Sequence, residues 1–146
     1  MSVQDTAEGA VERLIGLTER LTERLAVDSH AFEVRRPHEA AERLEETSRL
    51  ANIYRHEVVQ VRSDPTLVAR APRDQRHRLE RASEAFEAVL ARHGRALFAA
   101  REVTEGVVRA IAEEVASTRQ ANAGYGPGAR APKSAAATAI TLNQQA

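Results

Sequence analysis

Apolar residues return every three or four positions from the start of the chain: Ala7, Val11, Leu14, Thr18, Leu21, Leu25 and Phe32. Glu12, Arg13, Glu19, Arg20, Glu23 and Arg24 stand between them. That spacing draws one narrow apolar stripe along a charged α-helix. Asp5 followed by Glu8 has capping-box spacing, and early acids suit the positive end of a helix, so a first helix is predicted over residues 5–34. Pro37 fits only the first turn of a helix and pushes its predecessor towards extended geometry. Val34 to Pro37 therefore reads as a tight connection. A second helix over 38–62 carries Ala40, Leu44, Thr47, Ala51, Tyr54, Val58 and Val61 at heptad spacing. So short a link makes the two helices antiparallel neighbours.

Asp64-Pro65 is a cap followed by a first-turn proline, which suits a short helical turn, and Ala71-Pro72 then opens the longest element. This third helix is predicted over 73–121. One face carries Leu79, Ala82, Phe86, Leu90, His93, Leu97, Ala100, Thr104, Val107, Ile111, Val115 and Thr118. At that length it would run about 70 Å. Gly124, Gly126, Pro127, Gly128 and Pro132 stop the helix, and an Ala/Thr-rich stretch follows. Residues 122–146 hold few large apolar groups to offset the entropy of ordering, so a flexible tail is expected after a helical bundle over 1–121. The fold class predicted is all-α: an elongated antiparallel helical hairpin or three-helix coiled-coil bundle, with one very long helix and a flexible C-terminal tail.

Composition narrows the function classes. The chain of 146 residues carries 21 basic and 21 acidic side chains, so no overall field draws nucleic acid or an anionic membrane. The balance conceals a net −3 over residues 1–118 and a net +3 over 119–146, where Arg119, Arg130 and Lys133 meet no acid. Aromatics make up 3% and Trp is absent, so Ala, Val and Leu must fill a thin helix–helix interface. No cysteine means no disulfide and no thiolate metal site. The N-terminus lacks the basic start and apolar run of a signal peptide, and no segment nears the roughly 20 apolar residues a membrane span needs. A cytoplasmic protein without a membrane span is the expectation.

Candidate chemistry is thin. His38-Glu39-Ala40-Ala41-Glu42 begins like a HExxH zinc motif, but Glu42 stands where the second imidazole belongs, so a first-turn His38–Glu42 pair is the simpler reading. Asp74 and His77 have the spacing of one half of a di-iron carboxylate site, and the other half is missing. His93, on the inner face of the third helix, reads as a packed histidine. The cluster Arg70, Arg73, Arg76, Arg78 and Arg81 is interleaved with Asp74, Glu80, Glu84 and Glu87, which marks a solvated helix face rather than a nucleic-acid surface. No Gly-rich phosphate loop follows a strand, and no nucleophile elbow occurs. The expectation is a non-enzyme with no cofactor, no metal and no nucleic-acid partner.

Helix lengths carry the positive argument. Helices of about 30, 25 and 49 residues cannot cover one another throughout. The far end of the longest, around Val103, Val107, Val108, Ile111 and Val115, is left with no predicted cover, and it contains Gly106, which weakens a helix interior by about 1 kcal/mol relative to Ala. A Val-rich, weakened end next to a mobile tail suits helix-in-groove docking of another protein.

The long amphipathic first helix, the linker Asp64-Pro65-Thr66-Leu67-Val68-Ala69-Arg70-Ala71-Pro72 and the Leu79, Ala82, Phe86 start of the third helix resemble the FlgN-type flagellar export chaperones. So do Arg101-Glu102-Val103-Thr104-Glu105-Gly106-Val107-Val108, Tyr125-Gly126-Pro127-Gly128 and the terminal Thr141-Leu142-Asn143-Gln144. The likeness is to the divergent alphaproteobacterial forms in particular, and it spans nearly the whole chain. It implies a cytosolic chaperone that holds helical terminal segments of hook-filament junction or hook-associated proteins before export and hands them to the export machinery. The contacts it implies here are Val107, Val108, Ile111, Val115, Tyr125 and Leu142. The Ala-rich segment 134–139 departs from the pattern. A self-associating coiled-coil protein of flagellar assembly, burying the same stripe in a homodimer rather than acting as a monomer, is the alternative; a metal-dependent bundle enzyme is the third reading.

Overall fold

The computed structural model describes residues 2–124, among which there is no strand. The chain divides into two units, Met1–Glu102 and Val103–Ala146. The elements in order are α1 (Val3–Glu33), α2 (Pro37–Glu42), α3 (Leu44–Ser63), α4 (Thr66–Arg70) and α5 (Arg73–Gly124). The expected tail lies outside the described residues, except for its first three.

Helix α1 starts two residues earlier than Asp5 because Ser2 caps it. Asp5 N–H donates to Ser2 Oγ at 3.2 Å while Ser2 N–H donates to the Asp5 carboxylate at 3.0 Å, so Asp5 is the last residue of a capping box, not its first. The helix closes on Arg35 in the left-handed conformation, with φ 61°. Arg36 N–H reaches Ala31 O at 2.7 Å and Arg35 N–H reaches Phe32 O at 3.2 Å, the two bonds of a Schellman end. Pro37 follows at the first turn of α2.

The turn folds the chain back. Arg13 pairs with Glu57 at 3.3 Å, Arg24 with Glu46 at 3.1 Å and Asp28 with Arg43 at 3.0 Å, so numbers rise on α1 as they fall on α3 and the pair is antiparallel. Within the first unit, α5 runs parallel to α1, as Glu12–Arg78 at 2.9 Å and Glu33–Arg92 at 2.7 Å show. Tyr54 on α3 meets Phe86 on α5 with ring centroids 5.1 Å apart. Burial of the Tyr54 phenol raises its pKa above 10.0.

With neighbours on two sides, α1 buries a broader face than the single stripe expected. Ala10, Ile15, Leu17 and Ala31 are buried beside Ala7, Val11, Leu14, Thr18, Leu21 and Leu25. The short helix α4 closes the N-terminal end: Val11, Ile15 and Ala71 form the apolar centre, with Val68 and Leu79 packed on it. Hydroxyls buried in this core are satisfied within the helix, Thr18 donating to Leu14 O at 2.7 Å and Ser29 to Leu25 O at 2.6 Å.

Three inward assignments shift by one residue. The predicted second helix is interrupted at Arg43 (φ −100°, ψ 0°), which divides it into α2 and α3. Arg43 and Thr47 then take the inner positions, and Leu44 is 62% exposed. On α5 the buried and half-buried line is Gln75, Leu79, Ala82, Phe86, Val89, His93, Ala96 and Ala100. These are strictly alternating four- and three-residue steps, so Val89 and Ala96, not Leu90 and Leu97, face inward. Leu90 and Leu97 are exposed.

Candidate functional site

Helix α5 continues through Gly94 and Gly106 as one helix to Gly124. A Cβ added at either glycine would meet nothing within 4 Å. From Arg101 to Gly124 every residue is exposed. The large apolar ones among them are Val103 (54%), Val107 (53%), Val108 (62%), Ile111 (58%) and Val115 (45%). Their spacing of one, three and four residues sets them on one side of a helix, with Thr104 and Thr118 between and beyond them. Glu114 and Arg119 flank the strip, and Arg109 and Glu113 lie on the opposite side of the helix. Scattered exposed apolar residues are ordinary, but five large β-branched ones on one helix face form a strip. Of the six residues expected to meet a partner, Val107, Val108, Ile111 and Val115 come together here. Tyr125 and Leu142 lie outside the described residues.

The first unit has a smaller apolar surface of its own. Val27, Leu50 and Ile53 floor a groove of about 520 Å³ between α1 and α3, edged by Arg20, Arg24, Arg49, Glu23 and Glu46. Phe98 is 64% exposed on α5. Sequence reading did not mark these positions. A strict heptad count from Gln75 was the signal that turns Leu90, Leu97 and Phe98 outward.

It also missed a polar cluster where α1, α3 and α5 approach one another. Asp28 is 4% exposed, and its Oδ1 accepts from Arg43 Nε at 3.2 Å and Nη2 at 3.0 Å, while Oδ2 accepts from Thr47 Oγ1 at 3.2 Å. One residue on, the Ser29 hydroxyl spends its proton on Leu25 O, so its oxygen accepts from His93 Nδ1–H at 3.1 Å. The His93 ring also packs edge-on against Phe32, centroids 6.0 Å apart. An Asp in step with Leu14, Thr18, Leu21 and Leu25 was the sequence sign of such a cluster, since a carboxylate on an inner face needs a buried partner. These contacts hold helices in register and leave His93 packed.

The other residues singled out in the sequence sit apart from one another. His38 and Glu42 are exposed, and the ion pair on that turn is Arg36–Glu39 at 3.6 Å. His77 faces Glu80 at 3.6 Å rather than Asp74. Among the described residues no group of three or more His, Asp and Glu side chains is placed to hold a metal. Arg78, from the arginine cluster, makes a two-pronged pair with Glu12, at 3.0 and 2.9 Å. The Arg78 guanidinium, with help from Gln75, holds the Glu12 carboxyl below its usual 4.5, and Arg92 does the same for Glu33. No described helix is long and apolar enough to cross a membrane.

Helical packing, polar contacts that align helices, and an exposed Val/Ile strip define an all-helical protein. Across 144 residues, 96% of this chain and 95% of the relative, the sequence is 54% identical to the flagellar basal-body protein FlbY of Caulobacter vibrioides. The chain belongs to the FlbY family of flagellar basal-body proteins. No family model matches it, and no solved structure does.

Proposed function

We propose that this protein acts in flagellar assembly as a cytoplasmic export chaperone of FlgN type, holding the helical terminal segments of hook-filament junction proteins until they are exported. The observation that carries the reading is the exposed strip Val107, Val108, Ile111 and Val115 in a family whose Caulobacter member is named a flagellar basal-body protein. An amphipathic client helix laid on that strip removes apolar area from water, worth about 25 cal/mol per Å² before the entropy of association is subtracted. Affinities in the micromolar to nanomolar range suffice for hold and release. Competition by the export machinery frees the client without hydrolysis on this chain. Tyr125 and Leu142 add contacts from the tail.

The test is calorimetric titration of the full chain with synthetic peptides covering the terminal helices of the organism's hook-filament junction proteins. A double substitution, Ile111→Asp with Val115→Asp, is expected to weaken binding by at least about 30-fold, because each carboxylate would be desolvated in the complex. Both positions are exposed, so the thermal midpoint stays within about 2 °C of wild type. Truncation after Gly124 is expected to weaken binding less than the double substitution. Wild-type affinity in the Asp variant would overturn the reading.

A further inference from the structure

We infer that, without a client, Val108, Ile111 and Val115 are covered by a second copy of this chain, in a parallel, in-register two-stranded coiled coil over residues 104–122. This goes beyond the client reading and does not depend on it. Thr104, Val108, Ile111, Val115, Thr118 and Asn122 follow steps of four, three, four, three and four. Val108, Val115 and Asn122 take the first core position of successive heptads; Thr104, Ile111 and Thr118 take the other. An asparagine at the first position pairs with its own copy, a device that selects register and the number of strands.

Charge decides the orientation. In the parallel, in-register arrangement Glu114 of one copy lies beside Arg119 of the other, five residues on, and symmetry supplies that attraction twice. An antiparallel arrangement loses it, because the Glu114 side of one helix then meets the same side of the other, which carries Val107, Glu114 and Ala121, and never Arg119. Among the described residues Glu114 and Arg119 are both exposed and neither forms an ion pair, whereas Arg49–Glu45 and Arg36–Glu39 do. Gly106 falls on the outer side of the heptad, away from the contact.

The test is sedimentation velocity on the full chain from about 1 to 200 µM, at low and at moderate salt. Wild type is expected to pass from monomer to dimer across that range. Glu114→Arg and Arg119→Glu each place two like-charge pairs at the contact and are expected to weaken the dimer roughly tenfold. The double variant, Glu114→Arg with Arg119→Glu, restores it to within about threefold of wild type, which a merely structural effect of either change would not do. A monomer at every concentration, a tighter dimer from Glu114→Arg, or no recovery in the double variant overturns the proposal. A chain that stays monomeric yet binds junction peptides sinks the dimer and leaves the client reading standing; a charge-dependent dimer indifferent to those peptides does the reverse.

Discussion

Val11 and Ile15 on α1 and Val107 and Ile111 on α5 are the same residue types, four apart, on helices rich in Ala, Arg and Glu. The first pair has no exposed surface and the second is more than half exposed. What separates them is the company that chain topology brings. Val11 and Ile15 receive Val68, Ala71 and Leu79 because the Asp64-Pro65 and Ala71-Pro72 turns lay α4 and the start of α5 on α1. Residues 103–124 receive no cover within the described chain. A buried pair of this kind supports folding, and an exposed pair adds little to it.

The sharpest way to break that comparison is to truncate both sides of it. Ile15→Ala is expected to cost about 3 kcal/mol in chemical denaturation, since it opens a cavity in a closed centre. Ile111→Ala should change stability by less than about 0.5 kcal/mol. Equal losses would mean that the strip is part of the folded core. Next in size is Asp28→Ala. Removing the acceptor shared by Arg43 and Thr47 strands a half-buried guanidinium, and a loss of about 2 kcal/mol is expected. Arg43→Met together with Asp28→Leu should recover part of it.

Two backbone substitutions sharpen the contrast further. Arg35 sits in left-handed geometry at the end of α1, so Arg35→Gly relieves strain and is expected to stabilise by about 0.5–1 kcal/mol, seen as a rise in melting temperature. Gly106→Ala has open space around the new methyl and restores helix propensity. It is expected to slow amide exchange around residues 103–110 severalfold while leaving the global melt almost unchanged.

The smallest effect is on acid stability. Glu12 and Glu33 have folded pKa values lowered by Arg78 and Arg92, against an ordinary glutamate value of 4.5. Their contribution is therefore complete above about pH 4.5 and is lost as pH falls through the lower folded values. Both pairs are at the surface, so the slope is shallow and fades in salt. Melting temperature followed from pH 6 to pH 3 should fall less steeply in Arg92→Gln than in wild type. A steeper fall would contradict the assignment.

Much of this was legible in residue order. Prolines at 37, 65 and 72 mark where helices begin, and the three- and four-residue returns of Val and Leu mark helices where they occur. Helix lengths that do not match announced apolar surface near Val107 and Ile111. What escaped was fine register. Leu44, Leu90 and Leu97 read as inward because leucine is apolar, yet the inner positions belong to Arg43 with Thr47, to Val89 and to Ala96. Helix packing favours small side chains where axes come close, and a buried carboxylate on the neighbouring helix outweighs a leucine one residue away.

Local sequence determined that this protein is a set of amphipathic helices and where those opened by Pro37, Pro65 and Pro72 begin, because prolines and apolar periodicity act within a few residues along the chain. Only tertiary structure decided which side of each helix turns inward, that Asp28 finds Arg43 and Thr47, and that His93 settles against Ser29 and Phe32. Those choices depend on which distant surfaces meet, and the spacing of residues along one helix carries no information about the shape of its neighbour.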